Sequence, residues 1–183
     1  MTSTTTSGGT ILRDASARYR KASREQDGAR GAFDAETKRS GGAPRTEVTV
    51  SRAAAPADVA ELLGSDAVVV RARKMYDGEA LVQLADTYIP ADVAEAAGVE
   101  QVDTGVGGII SRFAEAGFAQ AEVTEDVSQI EADAEQAAAL GVEAGAKLLQ
   151  ILHVGRTESG RVVEVTRHVL GSGWTLRFSV PLA

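Results

Sequence analysis

Arg71 and Arg73 stand two residues apart in VVVRARKMYDGEALVQLADTYIP (68–90), which reads as two apolar strands joined at Asp77-Gly78. Side chains at i and i+2 leave a strand on the same face, about 6–7 Å apart. Two guanidiniums so placed are costly to desolvate unless an anion meets them, and their planar forks suit carboxylate or phosphate. A polar strand face turned to solvent is the plainer alternative. The loop Thr104-Gly105-Val106-Gly107-Gly108 opens a helix with Ile109, Ile110, Phe113 and Ala114 on one stripe. Free N–H groups and the dipole at a helix start favour negative charge, although a flexible turn is the commonest use of such glycines. Taken together, the arginines and the loop point to an anionic ligand.

Other residues carry less. Glu164, Thr166 and His168 alternate along one strand and share a face. Empty, Glu164 is expected to pair with Arg71 or Arg73. His153 lies in an apolar strand and reads as a packed core or edge residue. Two histidines, no cysteine and no HxxE-type spacing give no metal site. No serine has a histidine at a spacing readable as a nucleophile–base pair, so no catalytic residue is assigned. Trp174 and Phe178 share a face of the last strand and read as core or interface.

These residues need elements to hold them. Val48 and Val50 alternate with polar neighbours as in a strand. Pro56 and Pro90 open short helices that end at Gly64 and Gly98. Residues 118–128 look extended, and 133–140 (DAEQAAAL) form an alanine-rich helix stopped by Gly141. Three strands, 147–155, 161–170 and 174–180, joined at Ser159-Gly160 and Ser172-Gly173, read as a meander. Hairpin-linked strands with helices between them indicate an α+β fold on a mostly antiparallel sheet.

The 183 residues are 44% hydrophobic, enough for one real core. Without cysteine there is no disulfide scaffold, thiolate metal site or cysteine nucleophile. No run of 18 apolar residues and no signal-peptide pattern are present, which predicts a soluble, cytoplasmic chain with no membrane partner. The net charge of −7 is uneven: residues 1–52 hold ten Lys/Arg against six Asp/Glu, and the remainder nine against twenty. Nucleic-acid binding needs a clustered positive face, which the acidic body lacks. For the basic N-terminal stretch DNA contact is one reading, but 14–39 reads more plainly as a solvated linker with some helix, and residues 1–9 as a disordered tail.

The body from Thr46 to Leu182 resembles the UTRA domain, the effector-binding half of HutC-type GntR transcription regulators. The resemblance rests on the RAR strand, the Asp77-Gly78 turn, Tyr88-Ile89-Pro90, TGVGGIISRFAEAGF (104–118), the helix ending Leu140-Gly141 and ILHVGRTESGRVVEVTRHVL (151–170). The arm ARYRKASREQDGARGAFDAE (17–36) is similar to the interdomain region of actinobacterial members. It implies a chorismate-lyase-like fold, with helices and loops covering a ligand pocket, and two regions: an arm over 1–45, with a wing remnant near 8–13, and the effector domain over 46–183. The family's winged helix-turn-helix has no counterpart read upstream of Gly8. DNA binding is therefore expected only when such a domain is joined to the chain.

The resemblance also implies a site. Arg71, Arg73 and the loop residues Thr104, Gly105, Gly107 and Gly108, with Ser111 in the first helical turn, match the anion-holding elements of relatives that bind phosphorylated sugars. Glu164 matches a glutamate that contacts the effector there, with Thr166 and His168 beside it. Gln83 falls where such relatives can carry a second acidic residue. The loop lacks their serines, which keeps a plain carboxylate or a larger apolar acid open. The expected protein is a non-enzymatic sensor of a small anionic metabolite, without cofactor and homodimeric. A stand-alone ligand-sequestering protein and a lyase-like enzyme are the competing readings.

Overall fold

The computed structural model describes residues 10–180 and 182. Six strands form one antiparallel sheet: β2 (Pro44–Ala54), β3 (Ala67–Asp77), β4 (Ala80–Pro90), β5 (Gln120–Glu131), β6 (Lys147–Thr157) and β7 (Val162–Leu170). Their spatial order is β2-β3-β4-β7-β6-β5. The hairpin bearing Arg71 and Arg73 is thus interior, and β7 is central. This is the α+β architecture expected. The tight turn lies one residue later than expected, on Gly78-Glu79, because Asp77 still pairs with Ala80.

The two faces of β7 differ in chemistry. Val165 and Val169 pack beneath helices α3 (Ala57–Leu63) and α6 (Ala134–Leu140) on one side. Glu164, Thr166 and His168 are buried on the other. A strand buried on both faces has no solvated side, so polar residues on one face mark a second, polar interior. That interior is roofed by α4 (Ala91–Ala97) and α5 (Gly108–Glu115), whose Val93, Ala94 and Phe113 meet Val69, Ile89 and Val163. The proline openings of α3 and α4 and their left-handed glycine stops are as expected. Asp133 and Gln136 close a reciprocal capping box on α6.

The basic stretch is not a solvated linker. Residues Ile11–Asp14 (β1), Lys21–Arg24 (α1) and Ala32–Arg39 (α2) lie across the polar face of the sheet. Ile11 and Phe33 join Met75 and Ala85 in an apolar cluster. Two buried charges of the arm are neutralised in place: Arg18 donates to both carboxylate oxygens of Glu36, and Arg13 pairs with Glu125, while the buried Arg24 forms no salt bridge among the described residues. Paired and hydrogen-bonded charges can be buried where isolated ones cannot. The wing-like segment from Thr10 onward becomes β1; its earlier residues, and the tail 1–9, lie outside the described residues.

The expected meander also stops one strand early. Residues Trp174–Arg177 (β8) pair in parallel with β1, not with β7. β7 already has β4 and β6 as neighbours, so no edge is free beside it; Trp174 instead donates its indole N–H to the Val82 carbonyl at 2.8 Å and packs against Phe33 of the arm. Phe178 lies beyond the strand and is exposed.

Candidate functional site

Register brings the separated polar residues together. Arg71 stands opposite Thr87, Thr87 opposite Thr166, and Thr166 opposite His153, a rung across four strands. The adjacent rung is Arg73, Ala85, His168 and Ile151. Between this face, the loop after α4 and the arm lies a cavity of about 300 Å³. Arg71, Arg73, Gln83, Thr104, Gly107, Gly108, Glu164 and His168 line it. Gly105, Ser111 and Thr166 do not line it.

The two arginines do different work. Arg71 Nη1 donates to the carbonyls of Val99 (2.6 Å) and Gln101 (2.5 Å), and Nη2 to Val102 (3.0 Å). It pins the segment after α4 over the cavity. Burial, with Arg73 adding repulsion, lowers its pKa to about 10. Arg73 Nη2 donates to Thr87 Oγ1 at 2.5 Å, while its buried Nε has no partner. Among the described residues Arg73 forms no salt bridge.

Glu164 does not pair with either arginine. Its Oε1 accepts from Thr166 Oγ1 (2.8 Å), and its Oε2 accepts from Gln120 Nε2 (2.7 Å) and lies 3.5 Å from His153 Nε2. Burial alone would raise the Glu164 pKa. The His153 charge and the hydrogen bonds from His153, Gln120 and Thr166 outweigh it and bring the value to about 2. His153 Nδ1 lies 3.0 Å from the Tyr19 hydroxyl and 3.5 Å from Glu125 Oε1. Burial would lower the His153 pKa, but the flanking carboxylates Glu164 and Glu125 raise it above the usual value.

His168 is the opposite case: burial, then the charges of Arg13, Arg73 and Arg18, lower its pKa well below normal. A neutral ring fits its partner, since Gln83 Nε2 lies 3.1 Å from His168 Nδ1 and 2.9 Å from Met75 Sδ. With Nδ1 accepting, the ring proton sits on Nε2. Gln83 Oε1 is buried without a partner, an unused acceptor in the cavity wall.

The glycine loop closes on the arm. Gly107 donates its N–H to the Ala29 carbonyl at 2.9 Å, and a Cβ on Gly108 would meet the Arg30 carbonyl oxygen at 2.8 Å. Ser111 accepts from Arg24 Nη1 (2.6 Å) and donates to Glu25 (2.7 Å), so it faces the arm. Sequence reasoning missed Arg18, Tyr19, Arg24 and His153, all of which line the cavity. The available signal was ARYRKASR, dense in arginine around one tyrosine.

A six-stranded antiparallel sheet with a cavity lined in part by charged and polar side chains beneath a helix-and-loop roof defines a ligand-binding α+β domain without a metal cluster among its described residues. The UTRA domain family matches residues 39–171, and the chain belongs to it. A crystal structure described as a GntR-family transcriptional regulator superposes with a TM-score of 0.79 at 22% identity, covering 94% of this chain and 69% of that one. The ligand-binding domain of a GntR-family regulator from Bordetella bronchiseptica gives 0.66 at 25% identity, over 76% and 92%. PhnF from Mycobacterium smegmatis gives 0.72 at 18% identity, over 95% and 73%. No curated protein matches the chain by sequence. UTRA domains of GntR-family regulators are ligand-binding regulatory domains, which gives the chain an effector-sensing role. Among the described residues no helix is long and apolar enough to cross a membrane.

Proposed function

We propose that this chain senses a small anionic metabolite and thereby modulates DNA binding by a winged-helix domain. Arg73 takes the anionic group, and the 104–108 loop at the start of α5, whose glycine N–H groups are bonded to Ala29, Gly105 and Asp103, closes over it. Gln83 and His168 offer an acceptor and a donor to the remainder of the ligand, and Glu164 a fixed negative charge. Arg71 serves the site by holding its roof. The arm, residues 1–45, relays occupancy from the body, 46–183, across a homodimer. Ligand shifts such an equilibrium only by its differential affinity for the two states.

The observation that carries this reading is Arg73: a guanidinium turned into a roofed cavity with an unused donor and no carboxylate partner among the described residues. A buried charge left so is costly unless a ligand answers it. A thermal-shift screen against sugar phosphates, carboxylates and apolar acids tests it. At 100 times its dissociation constant a ligand stabilises the fold by about 2.7 kcal/mol, a shift of several degrees. An anion should shift the wild type and not Arg73→Met. If no anion shifts the wild type, the anionic-effector reading is wrong.

A further inference from the structure

The arm brings a second unanswered cation to the cavity. Arg24 is 5% exposed and lines the same space as Arg73. Its Nε donates to the Tyr19 carbonyl (3.0 Å), and its Nη1 to the Gly107 carbonyl (3.1 Å) and Ser111 Oγ (2.6 Å). Those bonds aim the guanidinium, and Nη2 makes no hydrogen bond to the described residues. Nor does Arg24 form a salt bridge among them; its neighbour Glu25 accepts from Ser111 instead.

The other arginines of the cavity already have partners, although Arg18 Nε is buried without a hydrogen bond. Arg18 has Glu36, Arg30 has Asp103, and Arg71 has three backbone carbonyls. Arg24 and Arg73 remain, one on the arm and one on the sheet, each with donors to spare. Both line the same cavity, and an oxyanion reached by both would gain a charge-assisted hydrogen bond from each.

We propose that Arg24 and Arg73 hold one oxyanion between them, so that the effector's charge staples the N-terminal arm to the sheet. This rests on the anion-binding reading of the cavity and adds a ligand contact from outside the body. It also gives the relay a direction: occupancy tightens the arm. The arm is the segment through which an N-terminal domain would be attached, so ligand contact and output share one residue.

The test titrates inorganic phosphate, and separately acetate, into the wild-type chain, Arg24→Gln and Arg73→Gln at low ionic strength, with calorimetry for affinity. Tryptic cleavage after the exposed Lys21 reports release of the arm. Each variant should weaken binding of the preferred anion at least tenfold, and that anion should slow cleavage at Lys21 in the wild type. Preference for phosphate or for acetate assigns the oxyanion as phosphate-type or carboxylate. A second measurement needs no variant: phenylglyoxal modification of the wild type, read by mass spectrometry, with exposed Arg20 as the control. The anion should protect Arg24 and Arg73 together and leave Arg20 reactive. Binding with Arg73 protected and Arg24 still reactive, or with Lys21 cleavage unchanged, overturns the staple and leaves the anion site standing. No binding of either anion overturns both.

Discussion

Arg71 Nη1 lies 2.6 Å from the carbonyl oxygen of Val99, so the buried guanidinium anchors a loop to a strand. Its neighbour on the same face, Arg73, has no such set of acceptors. Arg71→Ala removes three charge-assisted bonds and leaves the buried Val99 carbonyl unsatisfied, at a cost of about 2–4 kcal/mol. Arg73→Met removes a charge without a partner and fills the space with apolar atoms, which is neutral or stabilising by about 1 kcal/mol without ligand. Urea denaturation of the two variants measures this. Equal destabilisation by both would remove the distinction. It follows that ligand loss in Arg71→Ala says little about contact, whereas ligand loss in a folded Arg73→Met does.

Two glycines of one loop make different demands. Gly105 (φ +72°) and Gly108 (φ +67°) both adopt the left-handed region, but a Cβ on Gly105 meets open space while one on Gly108 meets the Arg30 carbonyl oxygen. Gly105→Ala should cost only the backbone term, about 1 kcal/mol. Gly108→Ala adds displacement of the arm, so its cost should exceed that of Gly105→Ala by about 1 kcal/mol or more and should speed proteolysis within residues 20–30. If the two variants match in stability and proteolysis, the arm is not seated on the loop as described.

The sheet and the polar face were readable because period-two alternation survives single-residue errors: Arg71 and Arg73 on β3 and Glu164, Thr166 and His168 on β7 each share a face by parity alone. The arm was not readable, for an electrostatic reason. Composition counts Arg13 and Arg18 as charges that demand water, and only their partners cancel that demand. Glu36 lies 18 residues from Arg18, and Glu125 lies 112 residues from Arg13. Neither spacing leaves a local pattern. The same holds for Glu164, whose partner was expected among the arginines of its face and is His153 across the β6–β7 ladder.

The two histidines should titrate on opposite sides of the ordinary value, 6.5. His153 sits between Glu164 and Glu125, and its raised pKa means that its contribution to stability is complete below pH 6.5 and is lost as pH rises through the folded value. His168 is held neutral, so below pH 6.5 the unfolded chain takes that proton first and stability falls with pH. Glu125 and Glu164, both brought to about 2 from 4.5, lose their contribution between those values as the solution is acidified. With two histidines in the chain, a proton NMR titration of the ring signals resolves both. Midpoints above and below 6.5 are expected, and Glu164→Gln should lower the upper one. Two midpoints together near 6.5 would contradict the buried imidazolium.

Seating of the arm has a built-in reporter. Trp174 is the single tryptophan of the chain, its ring lies 6.1 Å from that of Phe33 on α2, and its indole N–H is bonded to Val82 on the sheet. Phe33 is buried between arm and sheet with Ile11 and Met75. Phe33→Ala opens that contact at a cost of about 3–5 kcal/mol if the side chain acts as a core residue. Because the indole keeps its hydrogen bond only while β8 stays docked, loosening the arm should shift the tryptophan emission to the red and raise its quenching by iodide, with the six-stranded sheet still folded by circular dichroism. An unchanged emission spectrum in a destabilised Phe33→Ala would place the loss of stability elsewhere and separate Trp174 from the arm.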